Sequence, residues 1–257
     1  MIIDRHLARQ AFDDYVCSYD PSNPRIALKV DHTIRVADLC AHIADAEGLD
    51  ADLAWLCGLL HDVGRFEQVR RFDTFNDALS VSHAALGAQI LFGDEDPRGP
   101  QIRAYVADDA EDDLLRTAVD THSAYRLPHD LDERTRAYCN VLRDADKVDI
   151  IKVNCICPVS DIYGVSEDEM AASTLTQSVV EAFYEHRTVP RSTRKSPADI
   201  LVSHVCFAWE LVYPTSCVAM REQGYLEQML GRRFCDPQTQ TTFEAMGSHM
   251  RRELFHT

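Results

Sequence analysis

The chain has 257 residues, 46% hydrophobic and 26% charged, and a formal net charge of −16. That length can bury one substantial core and permits one or two domains. The acidic balance excludes a nucleic-acid polymer as partner, which needs a basic footprint, but allows a small phosphorylated substrate in a local cationic pocket.

Helical periodicity dominates the chain. Over 30–47, VDHTIRVADLCAHIADAE, the spacing places Ile34, Ala37, Ala41 and Ala44 on one face, and Gly48 closes the helix. A second helix is predicted over 50–63, with Asp50 as N-cap and Leu53, Leu56, Leu59 and Leu60 inward. Further helices are predicted near 82–92, 112–122, 132–151, 166–186, 197–212 and 216–231. Alternating β patterns are scarce, so the fold class is all-α.

The turn-rich stretch 93–100, GDEDPRGP, reads as a surface loop, and 187–197, RTVPRSTRKSP, as a basic solvated loop. Neither is long enough for a clear domain linker. The chain therefore reads as one helical domain over 1–257, with a motif core at 25–150 and a helical extension at 151–257. The GSHM at 247–250 resembles a tag scar but is internal, and it carries no functional weight.

No stretch approaches the roughly 18–20 apolar residues needed to cross a bilayer. The N-terminus has Asp4 and Arg5 early and no apolar signal-peptide core. Together with nine cysteines this suggests a cytoplasmic protein with free thiols. Cys155 and Cys157 form a lone C-x-C pair and read as core cysteines.

The doublet His61-Asp62 ends an apolar run in LLHDVGRFEQ. Alone, the histidine can be a hydrogen-bonded core residue and the aspartate a helix cap. The rest of the chain bears on the choice. His32 stands in DHTIRV, His83 opens SHAALGAQIL, His122 closes AVDTHSAYRLP, and Asp144 and Asp146 stand in VLRDADKVDI. Each lies on or beside an apolar helix face, so packing the helices gathers them. Four imidazoles and two carboxylates suit iron, manganese, cobalt or zinc. Six ligands exceed one tetrahedral site, and Asp62 is the natural bridge between two divalent ions. His6, His42, His129, His186, His204, His249 and His256 lack such a pattern and read as satisfied core residues.

His32, His61-Asp62 and the Asp of Ala145-Asp146-Lys147 resemble the defining motifs of the HD-domain superfamily. HDVGRFEQ followed by Thr74-Phe75-x-Asp77 and Ser80-x-x-His83-x-x-x-Gly87 looks like a bacterial branch of it. The resemblance covers roughly 25–150 and implies a helical bundle with a central metal site and additional C-terminal helices. It also favours Asp146 as the ligand. Asp144 falls about 200° away on an ideal helix and reads as solvent-facing or supporting. His83, in HAALGAQIL, is similar to an element that supplies a second metal in HD-GYP phosphodiesterases and diadenosine tetraphosphatases. His122 falls where those families place another ligand. The doubled histidine and the GYP tripeptide of HD-GYP proteins are missing, as is the Glu-Asp pair of alarmone hydrolases.

The resemblance implies a metal-dependent phosphohydrolase acting on a nucleotide or other small phosphoester through hydroxide held by two metals. Arg65 and Lys147 are the expected phosphate contacts and Arg35 a third. Arg191, Arg194 and Lys195 are a further cationic cluster. Gly64 reads as a helix stop that turns Arg65 towards the site. The alternative is a mixed-valence di-iron oxygenase resembling inositol oxygenase, which uses the same four histidines and two aspartates.

Overall fold

A computed structural model of the protein describes residues 2–93 and 99–255. Among these residues every regular element is helical, as the periodicity requires. Most of the 93–100 loop, and His256, lie outside them. The chain divides into two compact units, Met1–Asp146 and Lys147–Thr257.

The first unit contains α1 (Arg5–Val16), α2 (Pro24–Ala46), α3 (Ala51–Leu60), α4 (Val63–Phe72), α5 (His83–Phe92), α6 (Ile102–Tyr105) and α7 (Asp112–Thr121). It ends within α8 (Glu133–Ile156). Helix α2 starts earlier than its apolar pattern suggests, because Asn23 caps it and Pro24 occupies its first turn. His32 is therefore inside α2. Past its end, Gly48 adopts φ 71° while the Leu49 N–H bonds Ala44 O at 2.8 Å. The Asp50 carboxylate then caps α3, accepting from the N–H groups of Asp52 and Leu53.

The helix expected over 50–63 is two helices. α3 stops at Leu60, α4 starts at Val63, and His61-Asp62 form the corner. Gly64 is no stop, since it lies in the first turn of α4. Its role is close approach: a Cβ there would stand 2.6 Å from Gly87 N on α5 and also strike the His83 carbonyl. Gly58 plays the same part between α3 and α2, where a Cβ would stand 2.6 Å from Ala37 Cα. These two glycines let α3 pack on α2 and α4 on α5, and α5 packs in turn on α7. Phe66 of α4 holds α1 through edge contacts with Phe12 and Tyr15.

The second unit contains α9 (Val159–Tyr163), α10 (Glu167–Ala172), α11 (Gln177–Tyr184), α12 (Pro197–Val205), α13 (Pro214–Gln223), α14 (Tyr225–Leu230) and α15 (Pro237–Phe255). The helix expected over 166–186 breaks at 173–176, where Thr176 gives its N–H and hydroxyl to buried Asp199. The one expected over 197–212 ends in a 3-10 turn, Cys206–Glu210. Gly224, at φ 71°, divides the one expected over 216–231. The basic loop keeps Arg187, Arg191 and Lys195 exposed, as expected, but it is also pinned. Lys195 N–H bonds Asp199 at 2.8 Å, and Arg194, half-buried, bonds the Val189 carbonyl at 3.1 Å. Cys155 and Cys157 are half-buried instead of core.

Candidate metal centre

Four helix termini and two helix faces bring the six expected ligands together in the first unit. His61 follows the last residue of α3, and His122 follows the last of α7. The two are held alike. His61 Nδ1 lies 2.7 Å from Gly58 O and His122 Nδ1 lies 2.7 Å from Val119 O. A carbonyl only accepts, so each Nδ1 carries a proton and each Nε2 faces inward. His83 opens α5 behind its cap Ser82, and His32 and Asp146 come from α2 and α8.

Asp62 stands at the N-cap position of α4, yet its side chain makes no capping hydrogen bond. The carboxylate is turned into the centre instead, which removes the capping explanation. Its Oδ2 lies 3.4 Å from His61 Nε2 and 3.6 Å from His32 Nε2. Its Oδ1 lies 3.6 Å from His83 Nε2 and 3.7 Å from His122 Nε2. One carboxylate thus faces two histidine pairs, one with each oxygen. Asp146 Oδ1 completes the first pair, 3.2 Å from His32 Nε2 and 3.9 Å from His61 Nε2.

Within each pair the Nε2 atoms nearly touch, at 3.3 Å for His32–His61 and 3.0 Å for His83–His122. His83 Nδ1 lies 2.8 Å from the Asp77 carboxylate, so its proton points outward too. Burial, then the Arg65 charge, pushes the His83 imidazole down to about 3, which keeps it neutral. Asp62 is ionised. Burial raises its pKa, but Lys29 and His61 outweigh that and hold the carboxyl well below the usual range. Asp146 is likewise lowered against its burial, by His32 and His61. With their Nδ1 atoms anchored outward, His61, His83 and His122 turn Nε2 towards an anionic carboxylate. That donor set is compatible with a metal ion. Among the described residues, two groups have their ligand atoms within 4.8 Å of one another: His32, His61 and Asp146, and His61, Asp62 and His122.

Sequence reasoning missed several supporting residues. Lys29, one turn before His32 on α2, places Nζ 2.6 Å from Asp62 Oδ2. Asp77 orients His83 and also takes Arg65 Nη1 at 2.9 Å. Arg143 on α8 gives Nη1 to the carbonyls of His122 at 2.9 Å and Ala124 at 2.6 Å, fixing the end of α7. Lys29 and Arg143 are long polar side chains reaching distant segments, which helical spacing does not encode. The one available signal was the Thr74-Phe75-x-Asp77 motif, which contains Asp77.

The expected cations separate. Arg65 does turn towards the centre, its Nε 3.7 Å from Asp62 Oδ1. That Nε is buried and has no hydrogen-bond partner. Lys147, largely buried, pairs with Glu210 at 2.9 Å within the second unit. Arg35 is half-buried on α2, one turn beyond His32. Asp144 is fully buried, so the solvent-facing reading of it fails. The reason is that its stretch of α8, Val141–Ala145, is buried on all sides.

The family model of the HD domain matches residues 30–151, a span that contains all six residues. No curated protein and no solved structure matches the chain. No helix among the described residues is long and apolar enough to cross a membrane.

Proposed function

Through residues 30–151 the chain belongs to the HD-domain superfamily, whose type is the metal-dependent phosphohydrolase, and we propose that it hydrolyses a small phosphoester, a nucleotide above all. The observation that carries this reading is the Asp62 carboxylate, one oxygen towards His32 and His61 and the other towards His83 and His122. His32, His61 and Asp146 would hold one divalent ion, His83 and His122 another, and Asp62 both. Iron, manganese, cobalt and zinc all suit these ligands. Such an ion pair supplies Lewis acidity and activates water at neutral pH.

Two cations of the chain suit the anionic substrate. Lys29 and Arg65 reach opposite oxygens of Asp62, and both lie over the Phe75 ring, at 5.5 and 5.7 Å. Were Asp62 to hold an ion, the Lys29 ammonium would be released from its carboxylate to bind a phosphate oxygen. Arg65 offers its unpartnered Nε, while Nη1 stays anchored on Gln68, Phe75 O and Asp77. Lys29 and Arg65 thus orient the phosphoryl group and offset its charge.

A set of four histidines and two aspartates also supports the di-iron oxygenase as second reading. The paired cations beside Asp62 favour the hydrolase. The test is a panel of nucleotides and phosphomonoesters with Mn²⁺, Co²⁺ or Fe²⁺. Phosphate release that disappears in Asp62→Ala is expected; oxygen consumption by an iron-loaded protein without phosphate release would favour the oxygenase.

A further inference from the structure

His186 and His249, read from the sequence as core residues, stand at the surface of the second unit. His186 is exposed and His249 half-buried. His186 follows α11 with φ 52°, in the left-handed region. Its N–H bonds Phe183 O at 3.0 Å and the Arg187 N–H bonds Ala182 O at 2.9 Å. These are the paired bonds that end a helix, and glycine usually fills that position because a Cβ is strained there. The chain instead carries an imidazole, laid flat on Trp209 with ring centroids 3.9 Å apart and planes 11° apart.

That stacking aims His186 Nε2 at His249 Nε2 on α15, 3.0 Å away. Two imidazole nitrogens bound to one cation at 2.0–2.1 Å lie roughly 2.8–3.4 Å apart for bond angles between square and tetrahedral. A hydrogen bond alone also allows this spacing. Between two solvent-reached imidazoles, however, it competes with water and gains little. It gives no reason to hold a strained residue in place over an indole. Held there, stacked on the indole and aimed at a second imidazole, the His186 ring offers its Nε2 beside that of His249 for a shared cation.

We propose that His186 and His249 form an accessory site for a divalent transition cation of the nickel or zinc kind, separate from the Asp62 centre. Imidazole suits these ions, and water fills the open positions. Bound there, the ion clips the end of α11 to α15 and stabilises the second unit by mass action.

The test is a Ni²⁺ titration of the full chain, followed by tryptophan emission and melting temperature. Paramagnetic Ni²⁺ at His186 quenches Trp209. Wild type and Asp62→Ala should show the same saturable quenching and a Ni²⁺-dependent rise in melting temperature. His249→Gln keeps a hydrogen-bonding partner for His186 but no imidazole. It should melt as wild type does in EDTA and bind Ni²⁺ at this site at least tenfold more weakly. His186→Asn, which tolerates the left-handed backbone, gives the same reading should His249→Gln not fold. Equal quenching in wild type and these variants would overturn the proposal. So would quenching that vanishes in Asp62→Ala, which would assign the signal to the Asp62 centre.

Discussion

The ammonium of Lys29 lies 2.6 Å from Asp62 Oδ2, on the oxygen that also faces His61 and His32. Both side chains are largely buried, at 16% and 3% exposure. Removing one partner of such a pair leaves an uncompensated charge and costs about 3 kcal/mol or more. Lys29→Met should therefore destabilise the protein in EDTA. With saturating Mn²⁺ the loss should shrink, because the cation replaces the lost charge. Denaturation with and without metal checks this, and an equal loss in both would contradict it.

Gly64→Ala forces a Cβ against the backbone of α5, at the His83 carbonyl and Gly87 N. Backbone cannot step aside as a side chain can, so α4 and α5 must separate, at about 1–3 kcal/mol. The separation moves Asp62 from His83, and the second ion should weaken more than the first. Denaturant midpoints and metal titration measure both effects.

Asp77 acts only through others, holding His83 Nδ1 and Arg65 Nη1. Losing such an orienting carboxylate typically lowers metal affinity about 10–100-fold. Asp77→Asn keeps the size but not the charge, and one metal per chain should bind more weakly by that order. Unchanged affinity would mean that Gly87–α4 packing alone fixes His83.

In the second unit, His204 Nδ1 donates to Asn154 Oδ1 at 2.9 Å, and that oxygen also takes the Tyr163 hydroxyl at 2.5 Å. Burial, then Arg194 and Arg191, pushes His204 from the ordinary 6.5 down to about 3. The unfolded chain therefore takes a proton below pH 6.5 that the folded chain refuses until pH 3. Stability should fall as pH drops through that window, by at most about 1.4 kcal/mol per pH unit, with no contribution above it. Urea unfolding at pH 7 and pH 5 should show a larger loss for wild type than for His204→Gln.

The six candidate residues were legible because each sits beside an apolar face or a helix end, where a polar side chain stands out. The helix over 30–47, the Asp50 cap and the gathering of His32, His61, His83 and His122 all follow from that pattern. The corner at His61-Asp62 was not legible. Leu60 and Val63 continue the apolar pattern across it, and Gly64 reads as a stop by local chemistry alone. Its actual role is set by His83 and Gly87 of α5, 19 and 23 residues onward. Lys29 and Arg143 escaped for the same reason: their partners are distant in sequence, and a lone basic residue on a helix looks like solvated surface.

The bridging role of Asp62 is tested most directly by metal content per chain after loading and gel filtration. Two ions are expected in wild type, about one in His83→Ala and in His122→Ala, and none in Asp62→Ala. Equal content in all four proteins would contradict a carboxylate shared between two ions.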